Sequence, residues 1–202
     1  MNIYRLAAHF IRCLGLLAAQ CAAAEGCTRV ILADFNKYRL ELAESMNLAC
    51  PLVTLDTSTR DLEAEVKALT SGDGVARLVE ATGAPPVVNN CFRLLRKGGK
   101  VVLIGIPKAP IHIEDPMPNV LFKSLTLTTV HGRRIFHTWE ACEVCLDNWI
   151  YLFFTFFFLQ ALVSSGKVDP TVIISHEFSL DQWKDAFDLL LSGKACKIVV
   201  KV

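Results

Sequence analysis

From residue 29 onward, short apolar runs of strand length alternate with segments of helical spacing, and this alternation leaves few architectures open. Val30, Ile31, Leu32 and Ala33 are apolar without a break, as expected of a strand covered on both faces. Tyr38, Leu42 and Met46 follow at intervals of four and so share one face of a helix. A second strand is expected at 52–55, a second helix around 62–69, and a third strand at 75–79 after the turn through Gly72 and Gly74. Pro85-Pro86 suits a helix entrance, where a missing N–H costs nothing. Val87, Val88, Cys91, Leu94 and Leu95 would be the buried side of that helix, and Gly98-Gly99 its end. Strands at 101–104 and 125–130 complete the series. Strands alternating with helices make βαβ units, and right-handed crossovers then give a parallel sheet with helices on both faces. The class is α/β, doubly wound.

The C-terminal stretch differs. Ser179 with Gln182 makes a capping box, and Phe178 and Trp183 stand where a hydrophobic staple would hold them. Trp183, Phe187 and Leu190 are expected to form a buried stripe, with Gly193 ending the helix and a strand over 197–202. The tail reads as a βαβ piece made to pack on something other than the main sheet.

Charge narrows the partners. The 21 basic and 20 acidic residues are scattered, leaving no basic stripe to follow a phosphate backbone, so nucleic acid is excluded as a partner. The eight cysteines run from Cys13 to Cys196 in a chain large and apolar enough to fold without staples, which points to free thiols in a reducing, cytoplasmic setting. Cys142 and Cys145 form a C-x-x-C pair, but no second pair or nearby histidine completes a four-ligand zinc site, so no metal ligands are assigned.

In open α/β sheets, ligands bind at the carboxyl ends of the strands. Asp34 stands at such an end. A carboxylate there accepts the two ribose hydroxyls of an adenosine and repels a 2′-phosphate, which favours NAD over NADP. The alternative is a helix N-cap, a position aspartate also fills well. Arg39, five residues on, either covers the adenine face or is a solvated helix arginine. The glycine loop that should cradle the pyrophosphate is incomplete. Of G-x-G-x-x-G only Gly15 remains, 19 residues before Asp34, and Phe10 and Arg12 take the places of the first two glycines. The strand that should precede this loop is poorly defined within residues 1–10. Arg5, Arg12 and an apolar stretch ending in Ala22-Ala23-Ala24 resemble a secretion signal. The reading preferred is that 14–24 form the first helix of a nucleotide-binding fold, since a strand follows at once.

Val30-Ile31-Leu32-Ala33-Asp34-Phe35-Asn36-Lys37-Tyr38-Arg39 and the residues to Ala43 resemble the second strand and helix of zinc-type medium-chain dehydrogenases of the alcohol dehydrogenase superfamily. Within it they are most similar to the L-threonine 3-dehydrogenase branch. Glu80-Ala81-Thr82-Gly83-Ala84-Pro85-Pro86, Leu103-Ile104-Gly105-Ile106-Pro107, Val130-His131-Gly132-Arg133 with Phe136 and Trp139, and the tail over 174–202 agree. The resemblance implies a Rossmann-like fold and NAD contacts at Leu14 and Gly15 in the loop, and at Asp34 and Arg39 on the adenosine. It also implies contacts from the backbones of Ile104, Gly105, Ile106, Val130 and His131 beside the nicotinamide. Hydride transfer in the family takes place at a zinc ion that polarises the substrate oxygen. The resemblance places its ligands in an N-terminal catalytic domain that this sequence lacks, so no catalytic residue is assigned here. Residues 1–166 would be the NAD-binding domain, and 167–202 a segment that completes the missing one.

Residues 144–160 interrupt the resemblance. Without them Ile135, Trp139, Cys142 and Val163 fall on one helical face ended by Gly166. The aromatic run within them is short of the roughly 20 residues a spanning helix needs, so sequence foreign to the fold is preferred over a membrane segment. Three functional readings follow. The first is an NAD-dependent oxidoreductase of the zinc alcohol dehydrogenase type, with a small-molecule secondary alcohol such as L-threonine as substrate and no turnover by this chain alone. The second is a non-catalytic nucleotide-binding module, or one that forms homo-oligomers. The third is an unstable product whose sheet lacks its first strand and exposes an edge.

Overall fold

The computed structural model of the protein describes residues 5–9, 13–130 and 163–202. The first strand, which the sequence pattern leaves undefined, is present as β1 (Arg5–His9). It is followed by α1 (Cys13–Ala24), β2 (Arg29–Asp34), α2 (Lys37–Glu44), β3 (Leu52–Asp56), α3 (Leu62–Leu69), β4 (Val75–Glu80), α4 (Pro85–Asn90), β5 (Leu95–Leu103) and β6 (Thr126–Thr129). The six strands form one parallel sheet in the order β3-β2-β1-β4-β5-β6. β1 lies at its centre, with Leu6 opposite Val30 on one side and Arg77 on the other. The expectation of a sheet missing this strand is thereby corrected. Its backbone is paired on both sides although its composition is a weak strand signal, because two strong neighbours supply the ladder.

The doubly wound expectation is met. Alternation along β2 sends Ile31 and Ala33 to one face, where they meet Val66 of α3, Val88 of α4 and Cys91 just after it. Val30 and Leu32 go to the other, against Leu16 and Ala19 of α1 and Leu40 and Ala43 of α2. Leu16, Leu32, Leu78 and Leu95 are essentially inaccessible, each worth about 1.5–3 kcal/mol of apolar burial. α3 starts at Asp61, whose carboxylate accepts from the Glu63 and Ala64 amides at 2.8 and 3.2 Å, and Lys67 pairs with Glu63 one turn back.

Two helical faces differ from the pattern. α2 buries Leu40 and Ala43, not a Tyr38/Leu42 face, and it ends before Met46. The eight residues of α2 make only about two turns, and Met46 is buried in the same cluster from beyond its end. α4 enters through Pro85-Pro86 as expected but stops at Asn90. The buried residues Leu94 and Leu95 follow it, and Gly98-Gly99 lie inside β5 at a register break instead of ending the helix. Gly98 has φ +67, which locally breaks the extended path.

The tail forms a separate two-stranded parallel sheet, β7 (Ile174–Ser179) with β8 (Lys197–Lys201), joined by α5 (Trp183–Leu191). The capping box is present: the Ser179 amide donates to Gln182 Oε1 at 3.2 Å, and Gly193, at φ +74, lies just past the end of α5. The stripe expected to be buried is instead exposed, with Trp183 at 48%, Phe187 at 58% and Leu190 at 45%. Only Ala186 of this helix is buried, because the described residues supply no layer over its apolar side. The tail docks on the α1/α2 face through Val172, Ile173 and Cys196, which pack with its apolar residues, and through polar contacts. Gln20 exchanges two hydrogen bonds with the Asp169 backbone, and the Asn36 side-chain amide donates to the Gly193 carbonyl at 2.8 Å.

His131, Phe10, Arg12, the Cys142/Cys145 pair and the aromatic run in 144–160 lie outside the described residues. Among the described residues no helix is long and apolar enough to cross a membrane.

Candidate functional site

The direction of winding reverses between β1 and β4, and a crevice opens there at the carboxyl ends of the strands. The described residues at this end are the start of α1, the end of β2, and the loops after β4, β5 and β6.

Asp34 closes β2 with no solvent exposure. Its Oδ1 accepts the Asn36 amide at 2.9 Å, and its Oδ2 pairs with Arg39 Nη1 at 2.8 Å. The N-cap of α2 is Asn36, whose side chain accepts from the Arg39 amide at 3.3 Å. The capping alternative for Asp34 is therefore filled by its neighbour. Burial pushes the Asp34 carboxyl above its ordinary range, against the opposing pull of the Asn36 amide and the Arg39 charge. The Phe35 backbone also donates to the carboxyl group, whose two oxygens offer about four acceptor sites in all. Arg39 lies with its guanidinium carbon 5.8 Å from the centre of the exposed Phe35 ring.

Gly15 falls in the first turn of α1, where it is buried, and Leu14 beside it is half exposed. On the opposite side of the crevice, the loops after β4 and β5 touch through their backbones. A Cβ on Gly105 would lie 2.2 Å from the Gly83 nitrogen, and one on Gly83, at φ +65, only 1.9 Å from the Ile106 carbonyl oxygen. The Glu80 carbonyl accepts the amides of Ile104 and Gly105 at 2.8 and 3.0 Å, and Val130 donates to the Leu103 carbonyl at 2.8 Å. Ile106 projects into solvent, whereas Ile104 and Val130 are half-buried.

Two features were not read from the sequence. Glu80 is fully buried, and its carboxyl group accepts from the Thr82 amide and hydroxyl at 2.7 and 2.5 Å and from the Gly83 amide at 3.1 Å. It ties the β4 loop in place. An acidic residue ending an apolar strand just before Ala-Thr-Gly was the available signal, because short polar loops of this kind fold around a carboxyl group. The second is the approach of Cys13 to Cys196, which no local pattern encodes.

A groove of about 690 Å³ runs beside Cys13, Leu14 and Arg39, with Leu190, Gly193, Cys196 and Lys197 of the tail as its other wall. A second groove of about 700 Å³, bordered by Gly74, Arg93 and Lys123, opens at the amino ends of β4 and β5 and so away from Asp34. Among the described residues no group of three or more His, Cys, Asp or Glu side chains is placed to hold a metal ion. They do not fit a zinc site.

Six parallel strands in this order, with helices on both faces, define a Rossmann-type α/β domain. Residues 13–146 match the zinc-binding dehydrogenase family, and the chain belongs to it. L-threonine 3-dehydrogenase of Bacillus subtilis (strain 168) is 31% identical over 187 residues, which is 93% of this chain and 48% of that protein. The chain thus spans about half the length of the curated relatives it matches. Among solved structures, alcohol dehydrogenase TADH from Thermus sp. ATN1 superposes with a TM-score of 0.79 at 22% identity, over 100% of this chain and 52% of that one. A short chain alcohol dehydrogenase of E. coli CFT073, complexed with the cofactor NADH, gives a TM-score of 0.72 at 20% identity, over 100% and 52%. These two likenesses speak for the fold.

Proposed function

We propose that this chain holds NAD at the carboxyl ends of its strands, as the cofactor-binding part of a zinc-type dehydrogenase that oxidises a secondary alcohol such as L-threonine. The observation that carries this reading is Asp34, a fully buried carboxylate at the end of β2 that does not cap the following helix. A carboxylate raised by burial gains from further donors, and the hydroxyls of an adenosine ribose are such donors. Arg39 neutralises it from one side and shields the adenine. The start of α1, with Leu14 and Gly15, is the helix N-terminus that would face the pyrophosphate. The backbones of Ile104, Gly105 and Ile106, with Val130 and His131, border the nicotinamide. When bound, NAD supplies a hydride acceptor at the nicotinamide ring.

In this reading the chain binds and orients, and the groups that act on the alcohol lie in the part of the relatives' length that this match does not cover. No zinc step is assigned to the described residues. Residues 1–166 serve as the cofactor domain and 167–202 as the segment that returns to the catalytic one, in a cytoplasmic setting. A non-catalytic, self-associating module is the second reading. It draws on the exposed Trp183, Phe187 and Leu190 of α5 and on Leu127 of the edge strand β6.

Thermal unfolding of the purified chain with and without NAD tests the proposal. At a hundredfold excess over Kd, NAD should add about 2.7 kcal/mol and raise Tm by roughly 5–11 °C. The rise should vanish in Asp34→Ala and be smaller with NADP. A cooperative transition that NAD does not move, or a shift that survives in Asp34→Ala, overturns the assignment.

A further inference from the structure

Cys13 opens α1 and Cys196 immediately precedes β8, 183 positions away, yet their sulfurs lie 3.2 Å apart. The two thiols also exchange roles as donors. As a thiol, Cys13 donates to the Cys196 carbonyl at 3.1 Å; as a thiolate, it accepts the Cys196 S–H. Cys196 is 8% exposed and packs with Leu16, Ala19 and Leu32, whereas Cys13 is half-buried and faces the groove shared with Arg39 and Lys197. Both cysteines line the groove, and Cys13 is the more exposed of the two. We propose that Cys13 and Cys196 form a dithiol site that a small, anionic disulfide of the oxidised-glutathione class converts to a disulfide, fastening the C-terminal segment to the start of α1.

The reaction balances without any further reagent. The Cys13 thiolate attacks one sulfur of the incoming disulfide, whose S–S bond breaks, and one glutathione leaves as a thiolate that takes a proton from water. Cys196 then gives up its proton, by way of water, to the departing glutathione sulfur as its own sulfur attacks Cys13 Sγ. The mixed disulfide breaks and the second glutathione departs. Two protein thiols have lost two electrons and two protons, and the small disulfide has gained both. The site is suited to the first step. The Cys196 S–H, with the Lys197 and Arg39 charges, holds the Cys13 thiol down to about 6 against the opposing effect of burial. The hydrogen bond to Cys13, and then burial, raise Cys196, which keeps it protonated until Cys13 has reacted. Arg39 and Lys197 also line the path of an anionic reagent. At present the tail is held to this face by the Gln20–Asp169 and Asn36–Gly193 hydrogen bonds, which a covalent link would reinforce. The dithiol shares this groove with Leu14 and Arg39 of the proposed NAD site, so its test is run without NAD.

The test uses the full chain, reduced and then exposed to oxidised glutathione in native buffer. Free thiols are alkylated and the digest is mapped by mass. The expected product is a peptide linking Cys13 to Cys196, with a rise in Tm on the order of 10 °C for so long a closed loop. Cys196→Ser should stop at a glutathione adduct on Cys13. In 6 M urea the link should form at least about tenfold more slowly, because the fold supplies the effective concentration. Full alkylation of both residues in the folded chain, a preferred link between other cysteines, or an equal rate in urea would each overturn the proposal.

Discussion

Replacing Glu80 by alanine removes the acceptor around which the loop after β4 is folded. Three donors lose their partner: the Thr82 amide, the Thr82 hydroxyl and the Gly83 amide. The two backbone donors have no other assigned acceptor, and Gly83 is buried, so each costs about 1–3 kcal/mol when left unsatisfied. The hydroxyl can turn elsewhere. With the space vacated by a wholly buried side chain, the loss comes to about 4 kcal/mol, a large part of a typical total stability of about 5–15 kcal/mol. Glu80→Gln keeps a carbonyl oxygen that Thr82 and Gly83 share but sets an NH₂ group against the Gly83 amide where the second oxygen stood, so about 1–2 kcal/mol is expected. The assay is urea unfolding followed by circular dichroism. With a slope of about 3 kcal/mol per molar, alanine should lower the midpoint by about 1–1.5 M and glutamine by about half a molar. An alanine variant within about 0.3 M of the parent would refute the reasoning. So would glutamine and alanine variants of equal cost, because the loss would then not come from the hydrogen bonds.

Two further outcomes follow from local geometry. Gly83→Ala should destabilise by about 3 kcal/mol or more, since it adds a collision with the Ile106 carbonyl to a left-handed backbone, whereas Gly26→Ala, at φ +83 with open space around it, should cost only about 1–2 kcal/mol. Equal midpoints for the two variants in chemical unfolding would refute the close approach of the β4 and β5 loops. The rate of Cys13 carbamidomethylation should rise with pH to a midpoint near 6 in the folded chain and move toward the ordinary thiol value of 9.0 in Cys196→Ala. Because the folded value is depressed, the reactive thiolate is present above pH 6 and is lost as pH falls through it. A midpoint unchanged by the substitution would show that Cys196 is not the cause.

The strands β2 to β6 and helices α1 and α3 were legible because each is a local pattern: an unbroken apolar run, an amphipathic window, a proline pair or a turn glycine. Asp34 was legible as a residue of interest for the same reason, since the end of a strand is visible in the sequence. Its role was not. Only the fold shows that Asn36 fills the N-cap and that Arg39 reaches back to the carboxylate, because both depend on where α2 begins to wind. β1 escaped the pattern because its strand character comes from pairing between β2 and β4, which lie 24 and 70 positions downstream from Arg5. The α5 stripe is the converse case: its spacing correctly marks an apolar face, but burial requires a partner layer, and spacing along a chain cannot supply one. Glu80 holding its loop, Gly83 against Ile106, and Cys13 beside Cys196 are contacts between residues 3, 23 and 183 positions apart. The sequence by itself determined the α/β alternation, the Ser179–Gln182 capping box and the place of the carboxylate, which follow from short-range sterics and periodicity. The tertiary structure decided which strand lies at the centre, which helix face is covered and which thiols meet, because those are set by long-range packing that no local window contains.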